Sequence, residues 1–233
     1  MTKGTIENKE TFLNHIASRL GRERKRGLTP PARKHQPQWD VLKDATQEEL
    51  YSLFIQNSEA KGTNVISTNL ANLAETIEKV IESYGKGKLI ATNDPRFHAY
   101  DLTTVLYEHD VHWWDTAQGE ENIEIAKKAN IGFIFSDMSL AESGTVVQFN
   151  DKDIARSVSL LPTTYVAIVP KSSIVPRVSQ ATRKIHQMVQ NGEEIAGYIN
   201  FISGPSNSAD IEMNIVVGVH GPVKAVYVIV EDK

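Results

Sequence analysis

The sequence predicts an α/β fold: a mostly parallel, doubly wound sheet with antiparallel pieces toward the C-terminal third. Three observations predict it. From about residue 46 to residue 136, short apolar runs alternate with stretches whose apolar residues recur at helical spacing, the mark of strands joined by crossover helices. Beyond residue 136 the alternation breaks, and strand-like runs follow one another with only a turn between them, which calls for antiparallel pairing. Finally, 233 residues with 40% hydrophobic and 23% charged content can bury a core without disulfide or metal staples.

The first 44 residues read apart from the rest. Residues 1–40 carry nine Lys and Arg against four Asp and Glu, net +5, leaving −9 for the remainder of a chain of net charge −4. Leu13, Ile16 and Leu20 share one helical face, and Arg19, Arg22, Arg24, Lys25 and Arg26 crowd around Gly21 and Gly27. The following LTPPARKHQPQ reads as an extended linker. No aromatic residue is interleaved among these bases, so the arm reads as a solvated or partner-packing segment and not as a nucleic-acid contact. The expected organisation is an arm over 1–44 and one domain over 45–233.

Within the domain each element has its own signal. Thr46 caps a helix carrying Leu50, Leu53 and Phe54, and Lys61-Gly62-Thr63 turns into a strand over 64–67. Leu70, Leu73, Ala74, Ile77, Val80, Ile81 and Tyr84 hold a 3.6-residue period, which Gly85 stops. A strand over 88–92, a helix over 98–108, a strand over 111–114 and a helix over 123–129 lead to an apolar, buried strand over 131–136. The strand over 144–149 follows closely, as in a hairpin with that one. Another strand is expected over 163–169. Ile174, Val178, Ala181, Ile185 and Met188 trace one face of a long helix ended by Asn191-Gly192, and a terminal strand spans 225–230. In doubly wound sheets ligands collect at the carboxyl ends of strands. The loops at 141–145 and 204–210, each following a strand, are therefore where function is expected.

Composition removes several chemistries. With no cysteine, the chain supplies no thiol nucleophile, no thiolate zinc site and no thiolate ligand for an iron–sulfur cluster. No apolar run approaches a membrane span, and MTKGTIENKE has no signal-peptide core, so a cytoplasmic protein is expected. GxGxxG, GxSxG and HExxH are absent, and Gly85-Lys86-Gly87-Lys88 is a basic turn without Walker spacing. His109 and His112 would point to opposite faces of a strand, so no metal site is expected there.

Two stretches carry the candidate chemistry. GPSNSADIEMNIVVGVHGP, residues 204–222, has turn residues at both ends and no Lys or Arg. Gly204, Gly218 and Gly221 fix backbone geometry, Ser206 and Ser208 offer hydroxyls, and His220 between glycines suits a proton donor. AESGTVV, residues 141–147, sets Glu142 beside Ser143, Gly144 and Thr145, where small residues let amides approach a carboxylate or phosphate and Glu142 could act as base or nucleophile. A tight turn with a solvated glutamate fits the same residues, and a turn histidine fits His220. Asp210 and Glu212, two apart, share a strand face, and with Glu142 they form an acidic group that a hard metal or a solvated face would explain equally.

Together AESGTVV, SLLPTTYVAIV (residues 159–169) and the 204–222 run resemble the LUD-domain family over residues 45–233. Glu142 to Thr145 match its small-residue-Gly-Thr motif. Ser206, Ala209, Asp210 and Glu212 match its GPSxTADIE segment, with Ser208 where Thr is common. The resemblance implies a fold similar to the superfamily of sugar-phosphate isomerases and CoA-transferases. It also implies one of three proteins that together oxidise L-lactate to pyruvate for growth on lactate. The other two would carry the iron–sulfur clusters, and this chain would bind no cofactor itself. The expected role is an accessory subunit holding a small organic acid or anion through Glu142, Ser143, Gly144, Thr145, Gly204, Ser206, Ser208, Asp210, Gly218, His220 and Gly221, with Glu142 and His220 as catalytic candidates. Two other roles fit the same resemblance. One is a stand-alone enzyme on a CoA thioester or phosphosugar using Glu142, and the other is a scaffold for the iron–sulfur partners.

Overall fold

The computed structural model describes residues 5–29, 31–32, 34–85, 87–209 and 215–233; Lys86, Asp210 and Glu212 lie outside the described residues. The chain divides into two compact units, Met1–Pro37 and Gln38–Lys233. In the first, α1 (Lys9–Arg19) presents Glu10 to Arg24 at 2.5 Å and Arg26 at 2.6 Å. The basic cluster thus folds back on its own helix, and the Arg24 hydrogen bond holds the Glu10 carboxyl below its usual value.

The second unit begins with α2 (Gln47–Glu59), opened by a capping box in which Thr46 and Glu49 satisfy each other's amides. β1 (Asn64–Thr68) and α3 (Leu73–Tyr84) follow. Leu73, Ile77, Val80 and Ile81 are buried along one stripe, each worth about 1.5–3 kcal/mol of burial. Gly85 ends the helix at φ 93. Next come β2 (Lys88–Ala91), α4 (Arg96–Ala99), α5 (Thr103–Glu108), β3 (His112–Trp113), α6 (Glu120–Lys128) and β4 (Ala129–Phe135). The helix expected over 98–108 is two, because Asp101 takes φ 55 between them.

β5 (Met138–Leu140), β6 (Thr145–Asn150), α7 (Ser157–Leu160), β7 (Thr164–Pro170) and β8 (Ile174–Val175) come next. They are followed by α8 (Val178–Gln190), β9 (Tyr198–Ile202), β10 (Asn207–Ala209), β11 (Ile215–Val217) and β12 (Lys224–Val230). The central sheet has the order β1-β12-β7-β4-β2-β3, with every pair parallel. The terminal strand β12 therefore enters the sheet interior, between β1 and β7.

The expected antiparallel pairs lie in a separate, mixed sheet, β8-β5-β6-β9, in which β5–β6 and β6–β9 are antiparallel and β5–β8 is parallel. The hairpin partner of β6 is β5 and not the strand at 131–136, because β4 is already committed to β2 and β7 on its two sides. Ile174 belongs to β8, and the helix starts four residues later. β10 and β11 make a small hairpin of their own.

Side-chain alternation places the layers. On β7, Val166 and Ile168 join α3 and α5 on one face. Tyr165, Ala167 and Val169 join α2, α6 and the second sheet's Val146 and Ile202 on the other. The second sheet's far face, through Val147, Phe149 and Ile199, packs on Ala181 and Ile185 of α8. Strand period two then fixes Gln148 and Asn150 of β6, and Tyr198 and Asn200 of β9, on the inner face with Val146 and Ile202. No helix among the described residues is long and apolar enough to cross a membrane.

Candidate functional site

The two ends of the 204–222 run clamp onto each other. The Ser206 amide donates to the Pro222 carbonyl at 2.9 Å, and the Gly218 amide donates to the Ser206 carbonyl at 2.9 Å. Both glycines are required by the backbone. Gly204 has φ +69 with the Lys61 carbonyl 3.0 Å from where a Cβ would sit, and Gly218 has φ +84 with Val223 Cγ2 at 2.6 Å. The Val223 amide donates to the Thr163 carbonyl at 2.9 Å, which ties the run to the start of β7 and β12.

The cleft beside this run lies at the amino ends of β7 and β12 and not at the carboxyl ends expected from the strand alternation. The reason is that the loop at 203–206 leaves the second sheet, whose β9 runs back toward the start of the central strands. Tyr165, Ile202, Ser203, Ser206, Asn207 and His220 line a cleft of about 300 Å³. The amides of Gly204, Ser206 and Gly218 are already satisfied within the protein. The polar side chains that line the cleft are thus those of Tyr165, Ser203, Ser206, Asn207 and His220, and those three amides are not free to form a cradle. Gly221 backs onto Ser206, with a Cβ position 3.1 Å from its own Cβ. Ser208 sits in the β10–β11 hairpin opposite Val216.

The turn at 141–145 is held against α2. Asn57 Nδ2 donates to the carbonyls of Ala141 and Glu142 at 2.8 and 3.1 Å, and Lys61 Nζ donates to the Ser143 carbonyl. The Glu142 carboxylate accepts from Arg177 Nε. Gly144 sits at φ 55 directly on the backbone of Ser58. The 141–147 stretch reaches the residue just before the 204–222 run, through a hydroxyl chain from Ser143 to Thr145 at 2.6 Å and on to Ser203. What they share is this hydrogen-bonded seam; the carboxylate of Glu142 is engaged by an arginine 35 residues away in sequence.

Two buried tyrosines lie next to the seam, and neither stands out from the sequence. The Tyr227 phenol donates to the Ile202 carbonyl and accepts from the Gly204 amide, each at 3.1 Å, and its ring stacks on Phe54. Burial pushes its pKa from 10.0 up to about 12. A folded pKa above the unfolded value gives a contribution that is complete below pH about 10 and lost as pH rises toward about 12, about 2–3 kcal/mol in all. Unfolding midpoints should therefore fall across that alkaline window. Tyr227→Phe should fall less steeply there, while losing about 1–3 kcal/mol at neutral pH from the stranded amide and carbonyl. Tyr165, 1% exposed, lines the cleft. Its hydroxyl has no hydrogen-bond partner among the described residues, and burial raises its pKa well above the ordinary value, so it stays a neutral donor.

Residues 51–230 match the family model described as the LUD domain. The chain belongs to the LUD-domain family. Among curated LUD-domain relatives, the Bacillus subtilis (strain 168) protein named Lactate utilization protein C is 50% identical over 240 residues, covering 100% of each chain. The Macrococcus caseolyticus protein of the same name is 48% identical over 233 residues, again covering 100% of each. The crystal structure of a DUF162 family protein from Deinococcus radiodurans covers 80% of this chain and 99% of its own, with a TM-score of 0.57 at 18% identity. That likeness speaks to the α/β fold alone.

The carboxyl edge of the LUD domain's central sheet holds a different arrangement, also missed in the sequence. After β2, Asp94 accepts from Arg96 Nη2 at 2.6 Å. The same nitrogen reaches Asp137, after β4, at 2.9 Å. Arg96 Nη1 donates to the Ser136 carbonyl at 3.1 Å, and the guanidinium lies 5.0 Å from the Phe135 ring centre. Burial opposes the Arg96 charge, but the two carboxylates hold its pKa above the ordinary value. Burial raises the Asp137 pKa against the pull of Arg96. Asp137 also accepts from the Phe149 amide at 2.6 Å, so this cluster ties the second sheet to the central one. The sequence signal was Asn93-Asp94-Pro95-Arg96 at a strand end, which a turn explains as well.

Proposed function

We propose that this chain serves in lactate utilization as the cluster-free component of a three-protein system that oxidises L-lactate to pyruvate, holding a small organic acid while two partner proteins carry iron–sulfur clusters. The observation that carries this reading is the full-length likeness to proteins named Lactate utilization protein C, 50% identical with 100% of each chain covered. Two further points support it. The 233 residues supply no thiolate, which suits a division in which redox groups sit on other chains. The cleft beside Ser206 and His220 is of a size for a small metabolite.

Removing the gene should abolish growth on L-lactate and leave growth on pyruvate intact, with a plasmid copy restoring it. Undiminished growth of the deletion strain on L-lactate would end the reading. The stand-alone enzyme reading needs a free Glu142 carboxylate, and the Arg177 contact argues against it. A Glu142→Gln copy should restore growth on L-lactate to the wild-type rate. A folded Glu142→Gln protein that fails to do so would make Glu142 a catalytic group after all.

A further inference from the structure

The interior layer between the two sheets contains a set of polar atoms that the fold itself does not use. Gln148 is fully buried and Asn150 is 2% exposed. Both Gln148 amide atoms, Asn150 Oδ1, Asn200 Nδ2 and the Tyr165 hydroxyl have no hydrogen-bond partner among the described residues. Strand register brings these side chains to one surface. Gln148 pairs directly opposite Asn200, Asn150 opposite Tyr198, and Val146 opposite Ile202. Val146 and Ile202 pack in the same cluster as Tyr165, and Ile202 and Tyr165 both line the cleft beside Ser206. The amide pair is therefore one pairing step along the same strand face from Ile202, which lines the cleft. At the other end of the strip the Arg156 guanidinium lies over the Tyr198 ring, 5.1 Å from its centre.

Native interiors satisfy nearly all buried polar groups, and apolar residues at these positions would pack without loss. Sites where a sequence departs from that rule are characteristically functional. We propose that this layer is a binding pocket for a small 2-hydroxy or 2-oxo carboxylic acid, built by Tyr165, Gln148, Asn150 and Asn200 and reached through the cleft that Tyr165 shares with Ser206. The chemistry matches group by group. The phenol and the amide N–H groups of Gln148 and Asn200 donate to carboxylate and keto oxygens, and the amide oxygens of Gln148 and Asn150 accept from a 2-hydroxyl. Arg156 adds positive charge at the end of the strip, which favours a singly charged acid. The choice of acid rests on the lactate-utilization reading; the pocket itself rests on the unpartnered atoms.

Thermal melts of the purified full chain with L-lactate and with pyruvate test this, together with Gln148→Leu and Tyr165→Phe. Ligand should raise the wild-type Tm. Without ligand, Gln148→Leu should melt at or above the wild type, since it removes two unsatisfied buried atoms, and each variant should weaken binding by at least about tenfold, the scale expected for a lost hydrogen bond to a charged group. The proposal is overturned if Gln148→Leu melts well below the wild type, because its amide would then be structural. It is also overturned if both variants bind as tightly as the wild type, or if neither acid binds the wild type. That last outcome would leave the growth requirement for the gene untouched, so failure of the pocket and failure of the proposed role are separable.

Discussion

Arg96→Met is expected to destabilise the protein by about 3–5 kcal/mol at neutral pH, the scale found when one partner of a buried ion pair is removed. Asp94 is 5% exposed, and Asp137 already has its pKa raised by burial with Arg96 present. Methionine carries an apolar side chain in its place and leaves both carboxylates without the guanidinium that they share. For a chain of this length the loss corresponds to a Tm lower by about 6–20 °C. The pH dependence follows from the sign of the Asp137 shift. A carboxyl whose folded pKa lies above its unfolded value binds more protons when folded, so its contribution is complete below the unfolded pKa of 3.8 and is lost as pH rises through the folded one. Without Arg96 that folded value climbs further. The gap between variant and wild type should therefore be widest near neutrality and narrow on acidification toward the unfolded value. Adding Asp137→Asn to Arg96→Met should recover part of the loss at neutral pH. Chemical denaturation across that pH range checks both, and a neutral-pH change under about 1 kcal/mol would show that the cluster is solvated and not buried.

Gly144→Ala is the second large effect. The residue sits at φ 55, ψ 40, a region that costs other L-residues about 1–2 kcal/mol. A Cβ there would lie 2.6 Å from the Ser58 amide nitrogen and 2.8 Å from the Asn57 carbonyl carbon. Those are backbone atoms of α2, so relief requires the helix to move away from the turn that Asn57 and Lys61 hold. Overpacking adds about 1–3 kcal/mol, for a total of about 2–5 kcal/mol. Gly192→Ala is the control. Gly192 has φ +76 but nothing within 4 Å of a Cβ, so only the backbone cost of about 1–2 kcal/mol should appear. Equal losses at the two positions in equilibrium denaturation would mean that the α2 contact carries no energy.

Gly144 also shows what a sequence can and cannot disclose here. Its presence in a small-residue turn was visible, and so was the turn. That the glycine serves helix packing was not, because α2 lies some 85 residues earlier. The α3 stripe from Leu73 to Ile81 was legible because periodicity and the Gly85 stop agree. α4 and α5 merged into one because the break is an aspartate at φ 55, and nothing in its chemistry announces that conformation. β5 is three residues long and has no periodicity to read, so β6 was paired with the wrong neighbour. The cleft is legible in part. Gly204, Ser206, His220 and Gly221 do gather at one place, but register between distant strands decides that Gln148 faces Asn200 and that the Gln148 amide and Asn200 Nδ2 have no partner among the described residues. Neither amide differs, by residue type alone, from a solvent-facing position on a strand. Glu142 reads as a free carboxylate in sequence because its partner Arg177 stands 35 residues on, at the N-cap of α8.

The most direct measurement is a calorimetric titration of L-lactate into the purified wild-type chain, without the proposed iron–sulfur partners. Saturable binding at a single site is expected, with pyruvate competing for it. An isotherm with no heat beyond dilution for L-lactate and pyruvate alike would contradict it.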